Sequence, residues 1–105
     1  MAKFMFKLRS TQSGLQGLVK EGFAARESYA RGLVESVGGK VEAFYWTYGE
    51  EDLVLIIDAD AASAVALSLT VNNSGAYHLS TTPLLTSAEM DQARAKMPQY
   101  RPPGA

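Results

Sequence analysis

Lys40-Val41-Glu42-Ala43-Phe44-Tyr45-Trp46-Thr47-Tyr48 runs through Gly49-Glu50-Glu51-Asp52 into Leu53-Val54-Leu55-Ile56-Ile57. Both flanks are rich in the aromatic and branched residues that suit a pleated sheet, and the glycine between them permits a tight turn. The segment predicts a β-hairpin. Its second strand has no polar residue on either side, so both of its faces need an apolar cover. In the first strand, strict alternation sends Val41, Ala43 and Tyr45 one way and Glu42, Phe44, Trp46 and Tyr48 the other.

Upstream, Lys3 to Arg9 alternates Phe4, Phe6 and Leu8 against Lys3, Met5, Lys7 and Arg9, which predicts a half-buried strand. Ser10, Thr11 and Ser13 offer N-caps to a helical stretch whose apolar residues include Leu15, Leu18, Leu33, Val34 and Val37. Gly14, Gly17, Gly22 and Gly32 weaken that stretch by up to ~1 kcal/mol each, and a break near Gly22 divides it. Gly38-Gly39 ends it. Downstream, Asp58 or Asp60 caps a helix that stops at Asn72-Asn73-Ser74-Gly75, and Tyr77 to Thr82 alternates as a fourth strand. Thr86-Ser87-Ala88-Glu89 is a capping box opening a short helix through about Met97. The order β-α-β-β-α-β plus one C-terminal helix predicts a ferredoxin-like α+β fold with an antiparallel sheet. Residues 1–97 form one domain, and Pro98, Pro102 and Pro103 keep 98–105 an extended tail.

Helices in such a fold cover one side of the sheet and leave the other bare. An apolar face that size exceeds what a monomer usually exposes. A second copy is expected to roof it, giving a dimeric α+β barrel. The competing arrangement folds the C-terminal helix and tail over the face of the same chain.

Composition excludes several functions. Ten Lys+Arg against eleven Asp+Glu leave a net charge of -1, with no cationic footprint for nucleic acid or an anionic membrane. With no cysteine there is no disulfide, thiolate nucleophile or Cys-bound metal, and a single histidine excludes a two-His site within one chain. Lysines interrupt the apolar opening where a signal peptide is unbroken, and no stretch approaches the ~20 residues of a membrane span. The chain reads as soluble and cytoplasmic, with no cofactor and no metal.

Four stretches resemble the GYD domain family, small bacterial and archaeal proteins of largely undescribed function. They are Lys3-Phe4-Met5-Phe6; Gly14-Leu15-x-Gly17-Leu18-x-Lys20-Glu21-Gly22; Val34-Glu35-Ser36-x-Gly38-Gly39-Lys40-x-Glu42-Ala43-Phe44-Tyr45; and Thr82-Pro83-Leu84-Leu85-Thr86 with Glu89-Met90. The Gly-x-Tyr-Asp segment that names the family stands here as Gly49-Glu50-Glu51-Asp52, so no role of its phenol carries over. The resemblance implies a ferredoxin-like domain of the kind that pairs into dimeric α+β barrels, and no set reaction.

Candidate site residues follow from the expected cavity between sheets. His78 shares a strand face with Ser80 and Thr82, and its imidazole suits a general base or a single axial ligand to haem. The plainer reading is a hydrogen-bonded strand histidine. Arg9 shares a face with Lys7 and Met5, and its fork suits a carboxylate or enolate, with Glu42 as ion-pair partner or base. Otherwise these are solvated rim charges. Phe44, Trp46 and Tyr48 are candidates for a ligand-stacking floor, or simply core and interface. Glu50, Glu51 and Asp52 lack the spacing of a calcium loop and read as a hairpin turn. Three functions fit: a homo-oligomeric small-molecule-binding or assembly module; a cofactor-free oxygenase or isomerase acting on an enolisable or aromatic substrate; and haem binding through His78. In the second, His78 takes a proton, Arg9 holds the oxyanion, and Trp46 with Tyr48 stacks the ring, a reading drawn by analogy from the fold.

Overall fold

In the computed structural model, which describes residues 1–47 and 49–105, the alternation at the start of the chain becomes β1 (Ala2–Ser10). Thr11 then caps α1 (Gln12–Glu21), its extended backbone freeing the hydroxyl to accept from the Gly14 N–H at 3.2 Å. Gly22, at φ 99°, ends α1 and starts α2 (Phe23–Ser36), a backbone angle that a side chain would strain. The helical stretch does break there. β2 (Lys40–Trp46) and β3 (Leu53–Ala59) form the hairpin. Asp60, rather than Asp58, caps α3 (Ala61–Asn73) by accepting from the Ser63 N–H at 2.7 Å. β4 (Tyr77–Leu84) and α4 (Ser87–Ala95) follow, the latter opened by the expected capping box between Thr86 and Glu89.

All strand pairs are antiparallel, in the order β2-β3-β1-β4, and the arrangement is consistent with a ferredoxin-like fold. α1, α2 and α3 press Leu18, Val34, Ala64 and Leu67 into one core with the inward residues of the sheet. Those are Phe4, Phe6 and Leu8 on β1, Val41 and Phe44 on β2, Leu53, Leu55, Ile57 and Ala59 on β3, and Tyr77 on β4.

β2 departs from simple alternation. Val41 opposes Ile57 and Ala43 opposes Ile56, so Glu42 is an extra, unpaired residue in a β-bulge. The slip changes which side chains go inward. Phe44 and Trp46, expected beside Glu42 on the bare face, instead turn under the helices opposite Leu55 and Leu53. Ala43 and Tyr45 turn outward opposite Ile56 and Val54. Tyr48 lies outside the described residues.

Two close approaches tie β4 to the helices. A Cβ on Gly14 would stand 2.0 Å from the Ala76 carbonyl oxygen, which already accepts the Thr11 N–H at 3.0 Å. At the end of α3, the Asn72 amide donates to the Leu79 carbonyl at 3.0 Å and accepts the Leu79 N–H at 2.8 Å. That side chain stands in for a neighbouring strand along the free edge of β4. Pro83, four residues on and facing the same edge, has no N–H to leave unpaired.

The C-terminal segment does not return to the body. Every residue from Leu85 to Ala105 is exposed, and α4 buries none of its own. The radius of gyration is 16.9 Å and the longest extent 57 Å. A compact chain of this length has a radius of gyration of about 13 Å. The bare face is therefore not covered by its own tail, which removes the one-chain arrangement.

Gly14 and Gly32 should respond oppositely to alanine. Gly14→Ala forces α1 off the Ala76 carbonyl and is expected to cost about 2 kcal/mol. Gly32, inside α2 with nothing within 4 Å of an added Cβ, should gain up to ~1 kcal/mol on the same change. Urea unfolding midpoints of the two variants check this; equal shifts would show that the α1–β4 approach is not tight.

Candidate functional site

Residues directly opposite one another in an antiparallel sheet share a face, so the register maps the bare side row by row. Tyr45, Val54, Lys7 and Ser80 make one row, and Ala43, Ile56, Met5 and Thr82 the next. On one side of these lies the pair Arg9 and His78, and on the other Lys40, Asp58, Lys3 and Leu84. The centre is apolar. Met5, Val54 and Ile56 are half-buried only by their neighbours, and Tyr45 is 71% exposed.

The two charged ends differ in kind. At one, the Lys3 ammonium lies 2.6 Å from Glu42 Oε2 and 2.8 Å from Asp58 Oδ1. Asp58 first and Glu42 second push the Lys3 amine above its usual value. Glu42 is thus engaged by Lys3, at the far end of the face from Arg9, and the structure does not bring the two together as the sequence reading allowed. At the other end, Lys7, Arg9, His78 and Ser80 line a groove of about 380 Å³, with Glu50 and Glu51 of the hairpin turn among the lining residues. Among the described residues neither Lys7 nor Arg9 makes an ion pair. Three of the sequence-predicted residues, Arg9, His78 and Ser80, therefore meet in one groove. Lys7, which shared their face in the alternation but was given no role, joins them because register sets it opposite Ser80.

Phe44 and Trp46 sit on the other side of the sheet. Trp46 meets Phe23 edge-on with centroids 4.9 Å apart, and Phe44 at 5.4 Å. With Leu15, Leu18, Phe23, Thr47 and Asp52 it lines an apolar cleft of about 400 Å³ by the α1–α2 elbow. Arg26, also on this side, pairs with Glu21 at 3.6 Å and lies 4.6 Å over the Tyr29 ring, so it does not reach the groove.

The turn that carries Glu50 and Glu51 is clamped to the end of β1. Asp52 Oδ2 accepts the Ser10 N–H at 2.8 Å and the Ser10 hydroxyl at 2.5 Å, while the Asp52 N–H donates to the Leu8 carbonyl at 2.8 Å. The Ser10 hydroxyl and then its amide hold the Asp52 carboxyl below the usual carboxylate range, and Arg9 adds to the effect.

A family model for the GYD domain matches residues 4–93, which takes in nearly all of the sheet, its three covering helices, the clamped turn and most of α4. The chain belongs to the GYD domain family. No curated protein and no solved structure gives a significant match. In this GYD domain Asp52 is the turn clamp, and Glu51 beside it lies at the groove. Among the described residues no helix is long and apolar enough to cross a membrane, and no cluster of three or more His, Asp or Glu has metal-holding geometry. The groove offers two cations, a hydroxyl and an imidazole on one rigid strand pair, which can orient an anion or take a proton from a neighbouring carbon acid.

Asp52→Asn should lower the stability of the GYD domain by about 1 kcal/mol at neutral pH. A depressed folded-state pKa contributes stability above the unfolded value, near 3.9, and loses it as pH falls through the folded value. The difference between wild type and Asp52→Asn in urea unfolding should hold from pH 7 to 5 and shrink in more acid solution. A difference that persists at the acid end would show that the charge of Asp52 does not strengthen the Ser10 bonds.

Proposed function

We propose that this GYD domain works as a homo-oligomer in which two copies set their bare sheet faces together and hold a small organic molecule in the cavity between them. The observation that carries the reading is the apolar centre of the face, Met5, Val54, Ile56 and Tyr45, which the chain's own C-terminal segment leaves uncovered. Burying such a surface is favourable by roughly 25 cal/mol per Å², and a second copy offers the same surface in return. The polar groove at the margin of that surface would open into the shared cavity.

A second reading draws on a separate observation. His78 and Arg9 are direct cross-strand partners at the edge of an apolar patch, the pairing a cofactor-free proton transfer on an enolisable substrate requires. His78 would take the proton and Arg9 would hold the developing oxyanion. The stacking role first given to Trp46 cannot be filled from this face, because Trp46 packs against Phe23 on the other side.

Light scattering on the full chain should return at least twice 11.3 kDa. Ile56→Glu, in the middle of the bare face, should give a monomer, whereas the same change at Leu69, a 66% exposed residue of α3, should leave the mass unchanged. A wild-type monomer at 100-fold dilution and at high concentration alike would end the reading.

A further inference from the structure

We infer that the groove of Lys7, Arg9, His78 and Ser80 seats the head group of a monocarboxylate whose apolar body lies along Val54, Ile56 and Met5. The inference deepens the proposed function: it rests on that reading for the roof over the ligand's body, and on this chain alone for the head group.

The contrast between the two ends of the face is the first argument. One end is electrostatically closed, since Lys3 already holds both Asp58 and Glu42, with Lys40 opposite Asp58 in the same row. The other presents Lys7 and Arg9 on the sheet floor with no ion-pair partner among the described residues. An arginine fork accepts a carboxylate through two parallel N–H bonds, and the Ser80 hydroxyl, opposite Lys7, adds a donor. Glu50 and Glu51 supply the second argument. These carboxylates belong to the turn, which Asp52 fixes to β1, so the groove combines cations on its floor with anions from the hairpin. With two cations and two carboxylates the groove carries no net positive charge, so a single carboxylate can lie against the floor cations alone, whereas the further charges of a polyphosphate or nucleotide would meet Glu50 and Glu51.

The body follows from the register. Val54 flanks Lys7, and Met5 with Ile56 lies one row further. From the Arg9 row to the Met5 row is four residues of strand, about 13 Å, and everything apolar on that path faces the same side. A hydrocarbon or aryl acid is the ligand class that uses both the cations and the path beside them.

Octanoate, octanol, octylammonium and inorganic phosphate are the probes, titrated into the full chain by calorimetry, with the mass of each sample taken by light scattering. Octanoate is expected to bind saturably and at least ten times tighter than octanol, with no binding of octylammonium. Arg9→Gln and Lys7→Gln should each weaken octanoate at least tenfold, and Lys20→Gln, the same charge loss on exposed α1, should not. Equal binding of octanol and octanoate, insensitivity to Arg9→Gln, or competition by inorganic phosphate as strong as octanoate's would each overturn the inference. A dimer that ignores octanoate overturns it and leaves the paired-sheet reading standing. A monomer that binds octanoate through Arg9 does the reverse.

Discussion

The unpaired residue at Glu42 governs how this sheet divides its side chains. Without the bulge, the period of two would place Val41 and Phe44 on opposite sides of β2, and one of them would leave the core. With it, Val41 meets Ile57 and Phe44 meets Leu55 on the same side, beneath α2. The displaced carboxylate is then free to reach Lys3 across β3, where Asp58 already waits in register. One irregularity therefore completes the core, sends Tyr45 outward and closes one end of the bare face.

What could be read from residues alone was whatever rests on local chemistry. Thr11, Asp60 and the Thr86–Glu89 pair cap helices because a short side-chain oxygen at a helix start has an orphan amide within reach, whatever surrounds it. Gly22 breaks the first helical stretch for an equally local reason. The strand order follows from the succession of elements. The faces of β2 were not legible, since alternation carries no mark of where one residue drops out of a ladder, and Glu42 looks like any exposed strand residue. Phe44 and Trp46 were accordingly set on the wrong side, whereas His78, Arg9 and Ser80 line one groove, β1 and β4 pairing without a slip from Lys3–Leu84 to Ser10–Tyr77. Lys7 was visible in the same alternation and gained meaning only from its partner, Ser80.

The family's naming turn gains a physical role from this geometry. Asp52 locks the hairpin to the end of β1 through Ser10, and that lock sets the position of Glu50 and Glu51 relative to the groove. Glu51 sets a carboxylate at the groove mouth, with the Asp52 clamp directly behind it. Membership accounts for the scaffold.

Asn72 and Pro83 bear on a different matter, the way copies of this chain can associate at all. A bare edge strand invites another backbone to add itself, and the invitation repeats with each addition, which is how sheets grow into fibres. Here Leu79 is already answered by a side chain from its own molecule, and the next outward site but one is a proline. Contact through the flat of the sheet, in contrast, uses up both partners' surfaces at once. In the proposed pairing the greasy side would be consumed, while this blunted rim resists the repeated edge addition that builds fibres.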